Sequence, residues 1–154
     1  MIVSLYFATV PSPLGEMTLT TDGIALTGLT LDGGSPIDAV NDRKRLKPFI
    51  DEMNEYLAGE RTKFTFAIDQ PGTPFQKQVW QELCRIPYGK TISYGELAER
   101  VGKPKAYRAA GTANGKNQIA IVVPCHRVIA SGGKLGGYGG GLWRKEWLLK
   151  LETR

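Results

Sequence analysis

The residues best suited to covalent chemistry lie together at Pro124-Cys125-His126-Arg127-Val128, and His126 is the only histidine in the chain. A cysteine attacks as its thiolate, and an adjacent imidazole is one common means of forming thiolate near neutral pH. Cys125 and His126 therefore supply a candidate nucleophile and its base. The preceding run Ile119-Ala120-Ile121-Val122-Val123 reads as a buried strand that delivers Cys125 to the rim of a core. The pentapeptide alone fits equally well a small buried hydrophobe at Cys125 and a surface residue at His126. Cys84 lies beside an apolar helical stripe and reads as core filler.

The elements that must position this pair fall into two halves. Residues 4–8, 16–20 and 25–29 are short, partly alternating segments that read as antiparallel strands. Pro11-Ser12-Pro13-Leu14-Gly15 breaks the first pair, and Asp22-Gly23 signals a two-residue hairpin in the second. Leu46, Phe49, Ile50, Met53, Tyr56 and Leu57 then recur at helical spacing until Gly59, and residues 63–68 offer one more strand. Asp69-Gln70-Pro71-Gly72-Thr73 reads as a linker. Thr73 caps a helix that opens on Pro74 and carries Phe75, Val79, Trp80 and Leu83 on one side, and Ile86-Pro87-Tyr88-Gly89-Lys90 is a turn.

Ser93 with Glu96 three residues on is a capping box for a helix that Gly102-Lys103-Pro104 stops, and a second helical segment spans 105–114. Two short helices about a tight turn fit a helix-turn-helix, a pattern also common in plain packing. Asn114-Gly115-Lys116-Asn117-Gln118 is a polar hinge. Between Ser131 and Gly141, seven of eleven residues are glycine, which suits either a flexible surface loop or backbone approaching a ligand closely. The embedded Leu135 and Tyr138 suit a pocket wall. The last helix runs from about Leu142 through Glu152, with Trp143, Trp147, Leu148 and Leu151 read as core. The expected fold class is α+β: a small N-terminal antiparallel sheet plus helix over 1–73, then a mostly helical domain over 74–154.

Charge separates the same halves. Residues 1–73 hold six Lys/Arg against ten Asp/Glu, a balance of −4, and residues 74–154 hold fourteen against five, a balance of +9. A basic half points to a polyanionic partner, the bland reading being basic residues scattered over a solvated surface. No apolar run approaches the roughly 20 residues of a membrane span, no secretory signal is visible, and two cysteines make no disulfide framework. A reducing cytoplasm is expected. One histidine and two cysteines fall short of a zinc site with local ligand spacing, so no metal and no cofactor is expected.

Seven pieces of the second half, TPFQKQVW, IPYG, SYGELA, Pro104-Lys105-Ala106-Tyr107-Arg108-Ala109-Ala110-Gly111, PCHRVI, the Tyr138-Gly139-Gly140-Gly141 loop and RKEWLL, resemble in order and spacing the O6-alkylguanine-DNA alkyltransferases. The resemblance covers residues 74–152 and, more loosely, the N-terminal layout. It implies a ribonuclease H-like support domain over 1–73 and a DNA-binding, alkyl-acceptor domain over 74–154. It implies that Cys125 accepts the alkyl group, activated through a water by His126, which Glu152 orients, and that Asn117 holds the turn near the site. Gln118 stands where the family usually has proline, which would leave the hinge less rigid.

The same resemblance makes Arg108 a finger filling the space a flipped guanine leaves, and Tyr94 the residue that pushes the phosphate and bonds the flipped base. Lys103 and Ser131 would touch the DNA backbone. In the pocket, the Val128 carbonyl would accept from the exocyclic amine, the Gly139 amide would donate to O6, and Tyr138 would wall the alkyl group. Gly139 leaves more room than the serine of several relatives, so alkyl groups larger than methyl should be tolerated. Tyr107 is a large residue where many relatives carry alanine or glycine; it points away from the groove, extends the wedge, or alters affinity.

The implied activity is direct-reversal repair: one irreversible transfer from O6-alkylguanine in double-stranded DNA, reached from the minor groove, by a monomer with no obligate protein partner and no membrane. The alternatives are a non-catalytic alkyltransferase-like protein that flags damage, a sequence-specific helix-turn-helix regulator, and a cysteine hydrolase.

Overall fold

The computed structural model describes residues 4–36 and 38–154. The chain divides into two compact units, one of residues 1–70 with 118–120, the other of residues 71–117 with 121–154.

The first unit is a four-stranded sheet covered by a helix. Strands β1 (Leu5–Val10), β2 (Met17–Thr21), β3 (Leu26–Thr30) and β4 (Ala39–Asn41) lie in the order β3-β2-β1-β4. The first three are antiparallel, with Ala8 opposite Leu19 and Val10 opposite Met17, which sets these apolar side chains in the core. The short β4 was not expected from the sequence and runs parallel to β1, so the sheet is mixed. Asp22-Gly23 does not form a two-residue hairpin. Thr21 pairs with Leu26, and the Asp22 carboxylate accepts from the amides of Ile24 and Ala25 to close a longer loop. Helix α1 (Arg43–Leu57) buries the six residues of its predicted stripe. Residues 63–68 do not form a full strand: only Ile68 bridges to Leu26, while Phe66 packs edge-on to Phe49 and Phe64 lies against Tyr56.

The second unit holds four helices and one small parallel pair of strands. Helix α2 (Pro74–Cys84) starts with both bonds of a capping box between Thr73 and Gln76. Strand β5 (Ile92–Ser93) leads into α3 (Tyr94–Arg100), followed by α4 (Tyr107–Gly115), a 3-10 turn at Cys125–Arg127, strand β6 (Val128–Ile129) and α5 (Leu142–Glu152). Ser93 caps α3 through the Glu96 amide, but the Glu96 carboxylate pairs with Arg100, so only half of the capping box forms. Trp80 Nε1 donates to Ala113 O at 2.9 Å, fixing α2 against α4. Gly72 is required beneath it: a Cβ there would sit 2.6 Å from the Trp80 ring.

Three packing expectations need correction. Cys84 is exposed, because it falls at the last turn of α2, past the buried Leu83. Trp143 is 53% exposed with the Arg144 guanidinium over its ring at 4.8 Å; α5 is rotated so that Lys145, Leu148, Leu151 and Glu152 face inward. Residues 119–123 form no strand. Ile119 makes one bridge to Leu29, and Ile121 turns the chain through a left-handed conformation, φ 72°. A buried β-branched residue there is strained and interrupts any ladder.

Candidate active site on the helix-turn-helix unit

Cys125 is placed by its own backbone. Asn117 Nδ2 donates to Val123 O at 2.8 Å, and Pro124 makes a tight turn in which the Cys125 amide donates to Val123 O. The expected hinge asparagine thus holds the turn that presents the thiol. After it, the Gln118 amide, a group proline lacks, donates to Gln70 Oε1 at 2.9 Å.

Cys125 is 8% exposed, and burial pushes its thiol pKa up, against the side-chain hydrogen bond from Asn117 and the charge of Lys145. Burial thus works against a resting thiolate, the direction opposite to the one expected from an adjacent imidazole. Tyr138 Oη is buried beside the thiol without a hydrogen bond of good geometry, and desolvation drives its own pKa up.

His126 is fully buried, and its Nε2 lies 2.8 Å from Glu152 Oε2. Burial pushes the imidazole pKa down and so favours neutral histidine, while Glu152 opposes it. Glu152 also accepts from Arg127 Nε at 2.8 Å and Nη2 at 2.9 Å, while Arg127 Nη1 donates to Ile86 O at 2.7 Å. A carboxylate gripped by a guanidinium fork is ionised and accepts only. The proton of neutral His126 therefore sits on Nε2. Nδ1, buried and without a partner among the described residues, keeps its lone pair. Gly89 closes the arrangement from the opposite loop, its amide donating to Glu152 Oε1 at 3.3 Å.

Arg127 and Lys145 are the structural groups that sequence reasoning missed. Lys145 is fully buried and donates to Val128 O at 2.6 Å and Gly137 O at 3.2 Å, tying the glycine loop to β6. The signal was available: a lysine at helical spacing with Leu148 and Glu152 is out of place on an inward face.

The other expected residues lie near the thiol and along a groove, and Tyr94 belongs to both, since its pKa is raised by burial and then by the Cys125 charge. Tyr138 lies close to the thiol; Val128 donates its amide to Cys125 O, and its carbonyl already accepts from Lys145. A Cβ built on the exposed Gly139 would meet nothing within 4 Å. Tyr94, the first residue of α3, packs on Gly111 and touches the glycine loop at Gly136, and lines an open groove with Tyr107, Arg108, Gly111 and Thr112. Lys103 sits at the turn before α4 with its ammonium 5.2 Å from the Phe75 ring centroid. Ser131 begins a short 3-10 turn, and its side chain lies outside the described residues.

A helix-turn-helix whose unit also presents a thiol, followed by a buried imidazole bonded to a carboxylate, defines a class of DNA-binding proteins built around one cysteine. The family comparison makes this specific. Residues 74–154 match the DNA binding domain of 6-O-methylguanine DNA methyltransferase, and residues 5–70 match its ribonuclease-like domain. The chain belongs to this family. It is 47% identical over 152 residues to the methylated-DNA–protein-cysteine methyltransferase of Mycobacterium tuberculosis, covering 96% of this chain and 92% of the relative. The Methanosarcina barkeri protein of that name is 43% identical over 153 residues, covering 96% and 97%. The crystal structure of the M. tuberculosis O6-methylguanine methyltransferase superposes with a TM-score of 0.90 over 97% of this chain and 93% of that one, at 47% identity. An M. tuberculosis relative in complex with DNA superposes at 0.92 over 96% and 92%, at 49% identity. Among the described residues, no helix is long and apolar enough to cross a membrane.

Proposed function

We propose that this protein repairs O6-alkylguanine in double-stranded DNA by moving the alkyl group irreversibly to Cys125. The observation that carries the reading is the buried 2.8 Å bond from His126 to Glu152, directly behind the cysteine. It leaves the Nδ1 lone pair as the base. As Sγ attacks the alkyl carbon, the thiol proton passes through a water to Nδ1, and Glu152 stabilises the imidazolium formed. The S–C bond forms, the C–O6 bond breaks, and its electron pair goes to the guanine oxygen, where the Gly139 amide donates. Burial raises the thiol pKa, which favours losing the proton as the sulfur attacks rather than beforehand.

The guanine must leave the stack to reach a buried thiol. Arg108, exposed on α4, enters the gap from the minor groove, Tyr94 meets the everted nucleotide, and Lys103 and Ser131 contact the backbone. Val128 accepts from the exocyclic amine with the lone pair Lys145 does not use, and Tyr138 walls the alkyl group. Residues 74–154 carry both DNA binding and the acceptor, and residues 1–73 support them, in a reducing cytoplasm where both cysteines remain thiols.

The thioether is stable, so each molecule acts once. Intact mass after mixing with an O6-methylguanine duplex should show one added methyl on the Cys125 peptide, none with Cys125→Ala, and no further repair once the protein is consumed. Continued repair beyond one equivalent, or a methyl elsewhere, would overturn the reading. Benzyl transfer from O6-benzylguanine in the same assay reads the room at Gly139.

A further inference from the structure

Resting on that reading, we propose that Tyr107 is a second wedge residue, a flat stacking platform that works beside Arg108 to hold the duplex open at the lesion. Tyr107 is the first residue of α4 and is 50% exposed. Of the large apolar side chains exposed among the described residues, it is the one that lines the groove. The helix stripe it stands on is sparsely filled. Gly111, four residues on and therefore on the same stripe of the helix, has no side chain, and Tyr94 covers that glycine, its ring 3.4 Å from where a Cβ would stand. The groove thus has bare backbone between contributions from two tyrosines, with Thr112 holding the Arg108 carbonyl at 3.0 Å.

The Arg108 guanidinium carbon lies 6.0 Å from the Tyr107 ring centroid, so cation and ring form one exposed pair rather than two independent side chains. An exposed aromatic ring leaves apolar area in water until something flat covers it, and beside a basic finger that something is a base face. When a guanine is everted, the flanking bases lose a stacking partner, and an inserted ring replaces part of it. Arg108 supplies charge and length to fill the gap; Tyr107 supplies the apolar face that arginine lacks. Its hydroxyl has no part in this argument, so phenylalanine should serve equally.

The test compares single-turnover alkyl transfer to Cys125 on two duplexes of one sequence, one with the O6-methylguanine paired, the other with it in a small unpaired bubble. Stacking on this scale predicts that Tyr107→Ala slows transfer from the paired lesion by roughly tenfold. The loss from the bubble should be much smaller, and Tyr107→Phe should restore the paired rate. Equal loss on both duplexes would assign Tyr107 to general binding or folding and overturn the proposal. An unchanged paired rate, or failure of phenylalanine to rescue, would overturn it as well. If the unaltered protein methylates Cys125 on neither duplex, the repair reading itself has failed, a result distinct from any difference between the variants.

Discussion

Cys125 and His126 are both held neutral by burial, and this sets how the residues behave before DNA arrives. The thiol pKa lies above its ordinary 9.0, so the thiolate fraction should still be climbing across pH 7–9. In the free protein, iodoacetamide labelling of the Cys125 peptide should therefore rise by about tenfold per pH unit through that range. A plateau near neutral pH would mean that imidazole or Lys145 ionises the sulfur at rest, and the coupled transfer would be unnecessary. Folding stability has the matching signs. The depressed histidine loses stability as pH falls below its ordinary 6.5, where only the unfolded chain takes up the proton. The raised cysteine loses stability as pH climbs above 9.0, where the unfolded chain ionises first. The Cys–His pair was legible as chemistry from residue types alone. Its protonation state was not, because desolvation depends on what covers the pair, and Lys145 reaches it from α5, far along the chain.

Among the elements, local signals translated and non-local ones did not. Thr73 and Ser93 announce helix starts because each cap bonds an amide three residues away. Helix α1 buries its whole predicted stripe. By contrast, β4 has three residues and exists only because β1 is beside it. The run at 119–123 has strand composition, yet Ile121 turns and Asn117 supplies the bond that a ladder would have made. Helical spacing gave α5 a stripe but not its phase, so Trp143 was placed inside and Lys145 was overlooked. Gly89 shows how a turn can bear on a carboxylate distant in the chain. It holds φ 80°, and a Cβ there would lie 2.9 Å from the Glu152 carbonyl. Gly89→Ala should cost on the order of 1–3 kcal/mol, lowering the melting temperature by roughly 5 °C, and should slow alkyl transfer by displacing Glu152 from His126. An unchanged melt with normal transfer would show that the loop does not position the carboxylate.

At the scale of the molecule, the chain keeps its charges apart: residues 1–73 balance to −4 and residues 74–154 to +9. The thiol, its histidine, the carboxylate and the helix-turn-helix all belong to the second unit. A polyanion should therefore be met by the basic half, through contacts that release counterions in proportion to the phosphates neutralised. Lys103, Lys105, Arg108 and Lys116 fall on α4 and the turns that flank it, the segment proposed to meet the duplex. Binding to undamaged duplex should weaken steeply with salt, and each phosphate contact removed should flatten the log–log slope by about 0.9. Replacing Lys103 and Lys105 with glutamine should flatten it by up to twice that amount. Replacing Lys44 and Lys47, exposed on α1 of the acidic half, should leave it where it was. Fluorescence anisotropy across a salt series measures both. If the α1 pair flattened the slope as much as the helix-turn-helix pair, DNA would be gripped by both units and the division of labour proposed for them would be wrong.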